Sequence, residues 1–120
     1  MKRLTNKESE IMEFFWQSGP MFVKDLVALY PDPKPHFNTI STMVRILESN
    51  GYLSHNVYGN TYQYYSVVSK EEYGKNAISS MVSNFFDGSY LDAVSALVKE
   101  EKISIDELKE LINKVNSSSK

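Results

Sequence analysis

Three amphipathic segments followed by a hairpin pattern occupy the first half of the chain, and this order constrains the fold more than any other feature. Apolar residues recur at spacings of three and four in segments that end near Gly19, Tyr30 and Gly51, as in helices with one buried face. Gly59 and Asn60 then separate two stretches rich in Tyr, Val and Thr, which is the pattern of a β-hairpin. The order predicts a mainly α fold with a small β-hairpin wing, the winged helix-turn-helix.

Three capping boxes mark helix starts along the chain, and one break interrupts its second half. Thr5 with Glu8 opens the first helix, while Ser69 with Glu72 and Ser104 with Glu107 open helices in the second half. Residues 87–89 interrupt the apolar periodicity between these two. We therefore predict a winged helix-turn-helix DNA-binding domain over residues 1–69 and a helical dimerisation arm over residues 70–120.

The C-terminal arm carries more apolar surface than its own length can cover. A segment below about 70–80 residues seldom forms a stable core alone, so we expect the same segment of a second copy to cover it, around a two-fold axis. The residues predicted to form this homodimer interface are Ile78, Met81, Val82, Phe85, Leu91, Val94, Leu97, Leu108, Leu111 and Ile112.

The third helical segment, at about residues 36–50, has a polar arc of unusual composition. Asn38, Ser41, Thr42 and Arg45 lie opposite its apolar arc, with Thr39 at the border. Any surface helix has a polar face, but small hydrogen-bonding side chains in place of Glu and Lys favour contact with base edges. The arc predicts that this helix reads double-stranded DNA.

The predicted wing tip supplies a second set of contacts, while the overall charge is modest. Tyr58, Asn60 and Thr61 are expected to touch the phosphate backbone. Net charge is −2, with seven Lys and Arg against six Asp and Glu over residues 1–70, and six against nine over residues 71–120. Affinity for DNA must then come from local placement and from doubling in a dimer.

Enzymatic, metal and cofactor chemistry find no support in the sequence. The chain has no cysteine and two histidines, neither at metal-ligand spacing with other ligands. Gly-rich phosphate loops and nucleophile motifs are absent. The N-terminus does not resemble a signal peptide and no apolar run approaches the roughly 18 residues of a membrane helix, so we expect a cytoplasmic protein without a cofactor that is not an enzyme.

Two alternative functions are compatible with the same pattern. The first is a winged-helix protein-interaction module without DNA binding, which the low N-terminal charge favours. The second is a ligand-sensing repressor with an effector pocket between the fourth helix and the wing, which Met81, Phe85 and Phe86 could line. Core packing of a dimer is the more common role for periodic apolar residues.

Five blocks, in their order and spacing, resemble the penicillinase-repressor family, which includes BlaI, MecI and the copper-responsive CopY. They are SEIM at residues 9–12 with Trp16, NTIST at 38–42, Leu47 with GYL at 51–53, QYYSVV at 63–68 and ISIDELKEL at 103–111. The resemblance covers nearly the whole chain. It implies a homodimeric repressor of palindromic operators, with the third helix in the major groove and the C-terminal helices holding the dimer together.

The chain departs from the family pattern at sites that matter for regulation. Asn38 and Ser41 stand where basic residues are common, which implies a different operator and weaker attraction to phosphates. Ala96 and Leu97 occupy the position of the Asn-Phe bond that a membrane sensor-protease cuts in the β-lactam branch, and are the matching candidate for proteolysis. The copper branch has a cysteine-rich tail, so copper sensing is disfavoured.

Overall fold

Six helices and three short strands make up residues 2–118, the part of the chain that the structure, a computed structural model, describes. In chain order they are α1 (Asn6–Ser18), β1 (Met21–Phe22), α2 (Val23–Ala28), α3 (Phe37–Ser49), β2 (Leu53–Tyr58), β3 (Thr61–Ser66), α4 (Lys70–Phe85), α5 (Tyr90–Lys99) and α6 (Ile105–Ser118). The fold is mainly α with a small antiparallel wing, and this fold class confirms the prediction.

The ends of α1 follow from its local sequence. The Glu8 amide donates to the Thr5 hydroxyl at 3.2 Å, and the Thr5 amide donates to the Glu8 carboxylate at 2.9 Å, which confirms the capping box. At the other end the amide of Gly19 donates to the carbonyl of Phe15 at 2.9 Å. Pro20 follows and cannot continue the helix, so α1 ends where the chain turns into β1.

The bounds of α3 lie within one residue of those predicted. At its N-cap, Nδ1 of His36 accepts a hydrogen bond from the Asn38 amide at 3.1 Å, a role that Ser, Thr, Asp or Asn more often fill. At its C-terminal end the Tyr52 amide donates to the Leu47 carbonyl at 2.9 Å, while Gly51 has a φ of 87°. This is the Schellman ending, for which glycine is the favoured residue.

The wing is a three-stranded antiparallel sheet in the order β1-β3-β2. The predicted hairpin is present, with Tyr58 opposite Thr61 beside the turn. The structure adds β1, in which Met21 pairs with Tyr64. A strand of two residues has no alternation of its own, and for this reason the sequence pattern does not predict it.

The N-terminal core lies between the three helices and the inner face of the sheet. Its buried members include Ile11, Met12, Phe15, Leu26, Ile40, Val44, Leu47, Tyr52, Leu53, Tyr64 and Val68. Trp16 packs at the edge of this core, where its indole nitrogen donates to the Val68 carbonyl at 2.8 Å. Phe37 shares the apolar arc of α3 but is 49% exposed, because it occupies the first position of the helix.

The chain divides into two compact units, residues up to Ala77 and residues from Ile78 onward. The first turns of α4 belong to the N-terminal unit. The ring of Tyr73 lies 5.8 Å from that of Tyr52 and 6.2 Å from that of Trp16, and its hydroxyl accepts a hydrogen bond from the Leu4 amide at 3.1 Å. These contacts join the start of α4 to α1 and to the base of the wing.

The C-terminal unit consists of the rest of α4 with α5 and α6. Its helices also begin at serine caps: the Asp92 amide donates to Ser89 Oγ at 3.1 Å, and Ser104 and Glu107 exchange both bonds of the predicted box at 3.0 Å. Within residues 2–118, no helix combines the length and apolar character that crossing a lipid bilayer requires.

Candidate nucleic-acid interface

The polar arc of α3 faces solvent because the opposite arc is taken up by the core. Ile40, Val44 and Leu47 are buried, and at 100° per residue they fix which side of the helix is free. On the free side Asn38, Thr39, Thr42 and Arg45 are exposed, while Ser41 is half-buried. The predicted reading residues therefore share one accessible helix face.

Hydrogen bonds within this face limit what Thr42 can offer to a ligand. Its hydroxyl donates to the carbonyl oxygen of Asn38 at 2.9 Å and accepts from the Arg45 guanidinium at 3.5 Å. The single hydroxyl proton is thus used inside the helix. The remaining lone pair and the methyl group are available to a partner, and Arg45 keeps most of its donors.

The wing tip is exposed beside its two-residue turn. Tyr58, Asn60 and Thr61 are all exposed, and Gly59 gives the turn its positive φ of 62°. The Tyr58 ring meets Phe22 edge-on at a centroid distance of 5.8 Å. This contact ties the outer end of β2 to β1, so the tip is held by packing on its inner side.

An open groove brings the wing tip and α3 together. Ser41, Asn60 and Thr61 all border it, and its volume is about 250 Å³. Its remaining lining consists of Phe22, Val23, Lys24, Phe37, Tyr62 and Tyr64. Lys24, an exposed cation of this lining, is not predicted from the sequence, because the pattern of α2 alone gives no sign that its first turn borders this groove.

Glu48 and His55 form a second link between α3 and the wing that sequence reasoning missed. Nδ1 of His55 lies 2.5 Å from a carboxylate oxygen of Glu48, and both side chains are 28% exposed. The His55 ring stacks on Tyr62 with centroids 4.1 Å apart and planes 19° from parallel. The two residues are seven positions apart, and this spacing does not by itself predict a contact. They meet because the turn at Gly51 folds β2 back beside α3.

Tyr64 lies under this link and feels its charges. Burial is the main cause that raises the pKa of the Tyr64 phenol above its ordinary value of 10.0, and Glu48 adds to the rise while Arg45 opposes it. The phenol stays protonated at neutral pH, and its uncharged ring packs against the His55 ring, whose centroid lies 5.6 Å away.

The ammonium group of Lys34, a cation near this face, forms hydrogen bonds within the protein. The ammonium of Lys34 donates to the carbonyl oxygens of Ala28 and Tyr30, at 3.0 Å and 2.5 Å, where it satisfies the C-terminal end of α2. Lys24 and Arg45 are exposed. Among residues 2–118, no group of three His, Asp or Glu side chains is placed to hold a metal ion.

The C-terminal unit presents an apolar surface of a different kind. A groove of about 400 Å³ lies between α4 and α5, lined mainly by apolar side chains that include Met81, Phe86 and Val94. Nine of the predicted interface residues are exposed or half-exposed: Ile78, Met81, Phe85, Leu91, Val94, Leu97, Leu108, Leu111 and Ile112. Val82 differs from them, because it is 3% exposed and packs inside its own unit.

The Ala96–Leu97 peptide bond lies in the second half of α5. Ala96 is half-buried and Leu97 is 44% exposed. Cleavage of a helical segment proceeds through its locally opened form, so a protease acting at this bond requires α5 to unfold first.

Comparison with known proteins identifies the family of the chain. The sequence matches the penicillinase repressor family over residues 4–117. The methicillin resistance regulatory protein MecI of Staphylococcus aureus (strain N315) is 23% identical over 116 residues, which cover 94% of this chain and 93% of that protein. The MecI proteins of Staphylococcus epidermidis and Mammaliicoccus sciuri match with the same identity and coverage.

Among solved structures, the transcriptional regulator Tm0710 from Thermotoga maritima is similar at a TM-score of 0.49 and 21% identity, over 97% of this chain and 79% of that chain. The family match spans all nine secondary-structure elements apart from the last residue of α6. The chain therefore belongs to the penicillinase repressor family, a family of transcriptional regulators.

Proposed function

We propose that this chain is a homodimeric DNA-binding repressor that reads a pseudo-palindromic operator with α3 in the major groove. The observation that carries the proposal is the exposed polar arc of α3, where Asn38, Thr42 and Arg45 project from a helix whose opposite arc is buried. Membership of the penicillinase repressor family supports it. A helix with one such free face fits the major groove of B-DNA.

Each side chain of the arc has a chemical role in this proposal. The amide of Asn38 pairs with the edge of an adenine, and Arg45 donates to guanine or to a phosphate. Thr39 and Ser41 contribute hydroxyls, while Thr42 contributes its methyl group and remaining lone pair. At the wing tip Tyr58, Asn60 and Thr61 donate to phosphate oxygens, which positions the protein without reading sequence.

The dimer follows from exposed apolar side chains in the arm that begins at residue 70. Leu111 and Ile112 on α6 are 54% and 57% exposed, and Phe85 at the end of α4 is 76% exposed. Large apolar patches on a soluble domain usually mark an interface. A two-fold dimer presents two copies of α3 about 34–36 Å apart, one helical turn of DNA.

Release from the operator is expected to involve α5. A membrane sensor-protease is the partner that the family resemblance implies, and the bond that it would cut lies inside α5. Local opening of this helix is then the step on which induction depends.

The test is selection of a duplex from a random-sequence library, followed by titration of that duplex by fluorescence anisotropy. We expect an inverted repeat with half-sites about one turn apart. Arg45→Ala should weaken binding by about 1–3 kcal/mol, and Thr42→Ala by about 1 kcal/mol. Lys7→Ala, which removes an exposed charge from α1, is the matched control and should change affinity little.

Salt dependence separates this function from a protein-interaction module. A DNA binder loses affinity steeply as salt rises, because phosphate contacts release counterions. If no duplex is enriched, or if Arg45→Ala and Thr42→Ala bind the selected duplex as the unsubstituted protein does, α3 does not read DNA.

A further inference from the structure

The contact between Glu48 and His55 lies where a DNA-binding winged helix is most sensitive to geometry. Glu48 is in the last turn of α3, and His55 is the third residue of β2. Their 2.5 Å contact bridges the reading helix and the wing across the turn at Gly51. At 28% exposure for each side chain, solvent weakens the pair less than it would a fully exposed one.

The same imidazole is also held by the third element of this region. His55 stacks on Tyr62 of β3 at 4.1 Å, and Tyr64 on the same strand lies 5.6 Å away in a tilted arrangement. This ring of β2 thus contacts α3 through Glu48 and β3 through two aromatic side chains. The orientation of the wing relative to α3 depends on where this ring sits.

We propose that Glu48 and His55 are positioning residues, a clamp that sets the wing against α3, and that protonation of His55 tightens the clamp and strengthens DNA binding. This inference rests on the proposed function and concerns how its site is regulated. Protonation converts an imidazole with one N–H donor into an imidazolium that donates from both ring nitrogens. A carboxylate bonded to the charged form is held more firmly than one bonded to the neutral form.

The charged and titratable groups around the ring give the effect its sign. Glu48 faces it from α3, and the phenols of Tyr62 and Tyr64 face it from β3. Arg45, also on α3, acts electrostatically on the Tyr64 phenol. When His55 is neutral, the negative charge of Glu48 lacks its neutralising partner on a helix that approaches phosphates. Protonation cancels that charge and fixes the wing, and both effects favour DNA binding at lower pH.

The other histidine acts in the opposite direction and supplies a control. Nδ1 of His36 accepts the Asn38 amide proton at 3.1 Å, so protonation at this nitrogen removes the cap of α3. His36→Asn keeps an acceptor at the N-cap and removes the titration. The pH dependence due to His55 should therefore survive, or increase, in this variant.

The experiment measures affinity for the duplex selected by the unsubstituted protein, at constant salt, between about pH 6 and about pH 8. We expect affinity to fall about two- to fivefold over this range, as for a partly exposed ion pair. The fall should persist in His36→Asn and disappear in His55→Gln. It should also disappear in Glu48→Gln, which keeps a hydrogen-bonding side chain but removes the carboxylate.

Two outcomes overturn the proposal. One is a flat pH profile for both the unsubstituted protein and His36→Asn in the presence of normal binding. The other is a full pH dependence in Glu48→Gln, which means that the imidazolium acts directly on a phosphate and that the clamp has no part in it.

A measurement without DNA separates failure of the clamp from failure of the proposed function. In NMR titrations of the full chain, the amides of Gly59 and Asn60 should shift together with the His55 ring protons, because the clamp carries the charge change to the wing. The coupled shift should be lost in Glu48→Gln. If the chemical shifts of these wing amides do not change as the His55 ring titrates in the unsubstituted protein, the proposal is contradicted even if DNA binding is observed.

Discussion

The two histidines of the chain lie at opposite ends of α3 and use the same ring nitrogen in different ways. Nδ1 of His36 accepts a backbone proton, while Nδ1 of His55 faces the carboxylate of Glu48. An imidazole that accepts at Nδ1 is unprotonated there, whereas one that bonds a carboxylate carries the proton. The cap at the start of α3 therefore uses this nitrogen as an acceptor, whereas the clamp beside its last turn uses it as a donor.

At this scale we predict that His36→Ala destabilises the N-terminal unit by about 1 kcal/mol, because the N-cap of α3 loses its only side-chain acceptor for the Asn38 amide. Urea denaturation at neutral pH measures the difference. His36→Asn, which restores an acceptor, is the control and should be as stable as the unsubstituted protein. Equal stability of the Ala variant would mean that water replaces the cap.

Single elements of this protein carry their own start signals. Of the three boxes found in the sequence, those of α1 and α6 are formed with both reciprocal bonds, and at α4 the Glu72 amide donates to Ser69 Oγ at 3.0 Å. Such boxes satisfy amides that no helical carbonyl can reach. They set helix starts without help from the rest of the fold.

The helix content of α6 should depend on pH through its N-terminal capping box. Hydrogen bonds from the Ser104 backbone and side chain lower the pKa of Glu107 below its ordinary value of 4.5. A group whose pKa is lowered in the folded state stabilises above its ordinary pKa, and this contribution disappears as pH falls through the lowered value. We therefore expect Glu107→Gln to reduce helix content at neutral pH and to make little difference at about pH 2.

Circular dichroism of the full chain at both pH values measures this effect. Glu110→Gln makes the same chemical change within the first two turns of α6 and is the matched control, which should leave helix content unchanged at neutral pH. A difference between Glu107→Gln and the unsubstituted protein that persists at low pH would place the effect outside the capping carboxylate.

The helices of the C-terminal half expose apolar side chains that a single chain leaves uncovered. Helices α4, α5 and α6 together expose Phe85, Leu91 and Ile105 at 76%, 83% and 63%, far more than a stable isolated unit usually tolerates. The N-terminal unit differs in having, among its described residues, a buried core of twelve side chains, although it also leaves Phe37 and Val57 at 49% and 63% exposure. Under the proposed function, the N-terminal unit reads DNA and the C-terminal unit supplies the surface for association.

At this scale we predict that Leu111→Asp converts a dimer into monomers, because a carboxylate cannot be buried unpaired in an apolar interface. Sedimentation velocity should then give a species of half the mass. Affinity for the selected duplex should fall about 100-fold or more, since the second half-site no longer binds as part of the same particle.

Asn113→Asp introduces the same carboxylate on the polar side of α6 and is the control for Leu111→Asp. It should sediment as the unsubstituted protein does. A protein that is monomeric without any substitution, at the concentrations at which it binds DNA, would contradict the dimer and leave the reading by α3 to be judged separately.

Local patterns in the sequence were enough to predict the helices, the three capping boxes, the hairpin and the free face of α3, but not the His36 cap of α3. Each depends on residues within a few positions of one another: the Thr5 and Glu8 box, the Gly51 ending, the turn at Gly59 and Asn60. Periodicity then fixes which arc of α3 is buried, so Asn38 and Arg45 could be assigned to solvent before any coordinates were known.

Tertiary structure alone decided the features that join segments distant in the chain. The pairing of Met21 with Tyr64 creates β1, the groove sets Lys24 beside Asn60, and the clamp joins Glu48 to His55. Val82 was assigned to the interface by its period but is buried in its own unit. Such contacts depend on how packed elements are oriented. The residue pattern of one helix or strand does not show which other element packs against it.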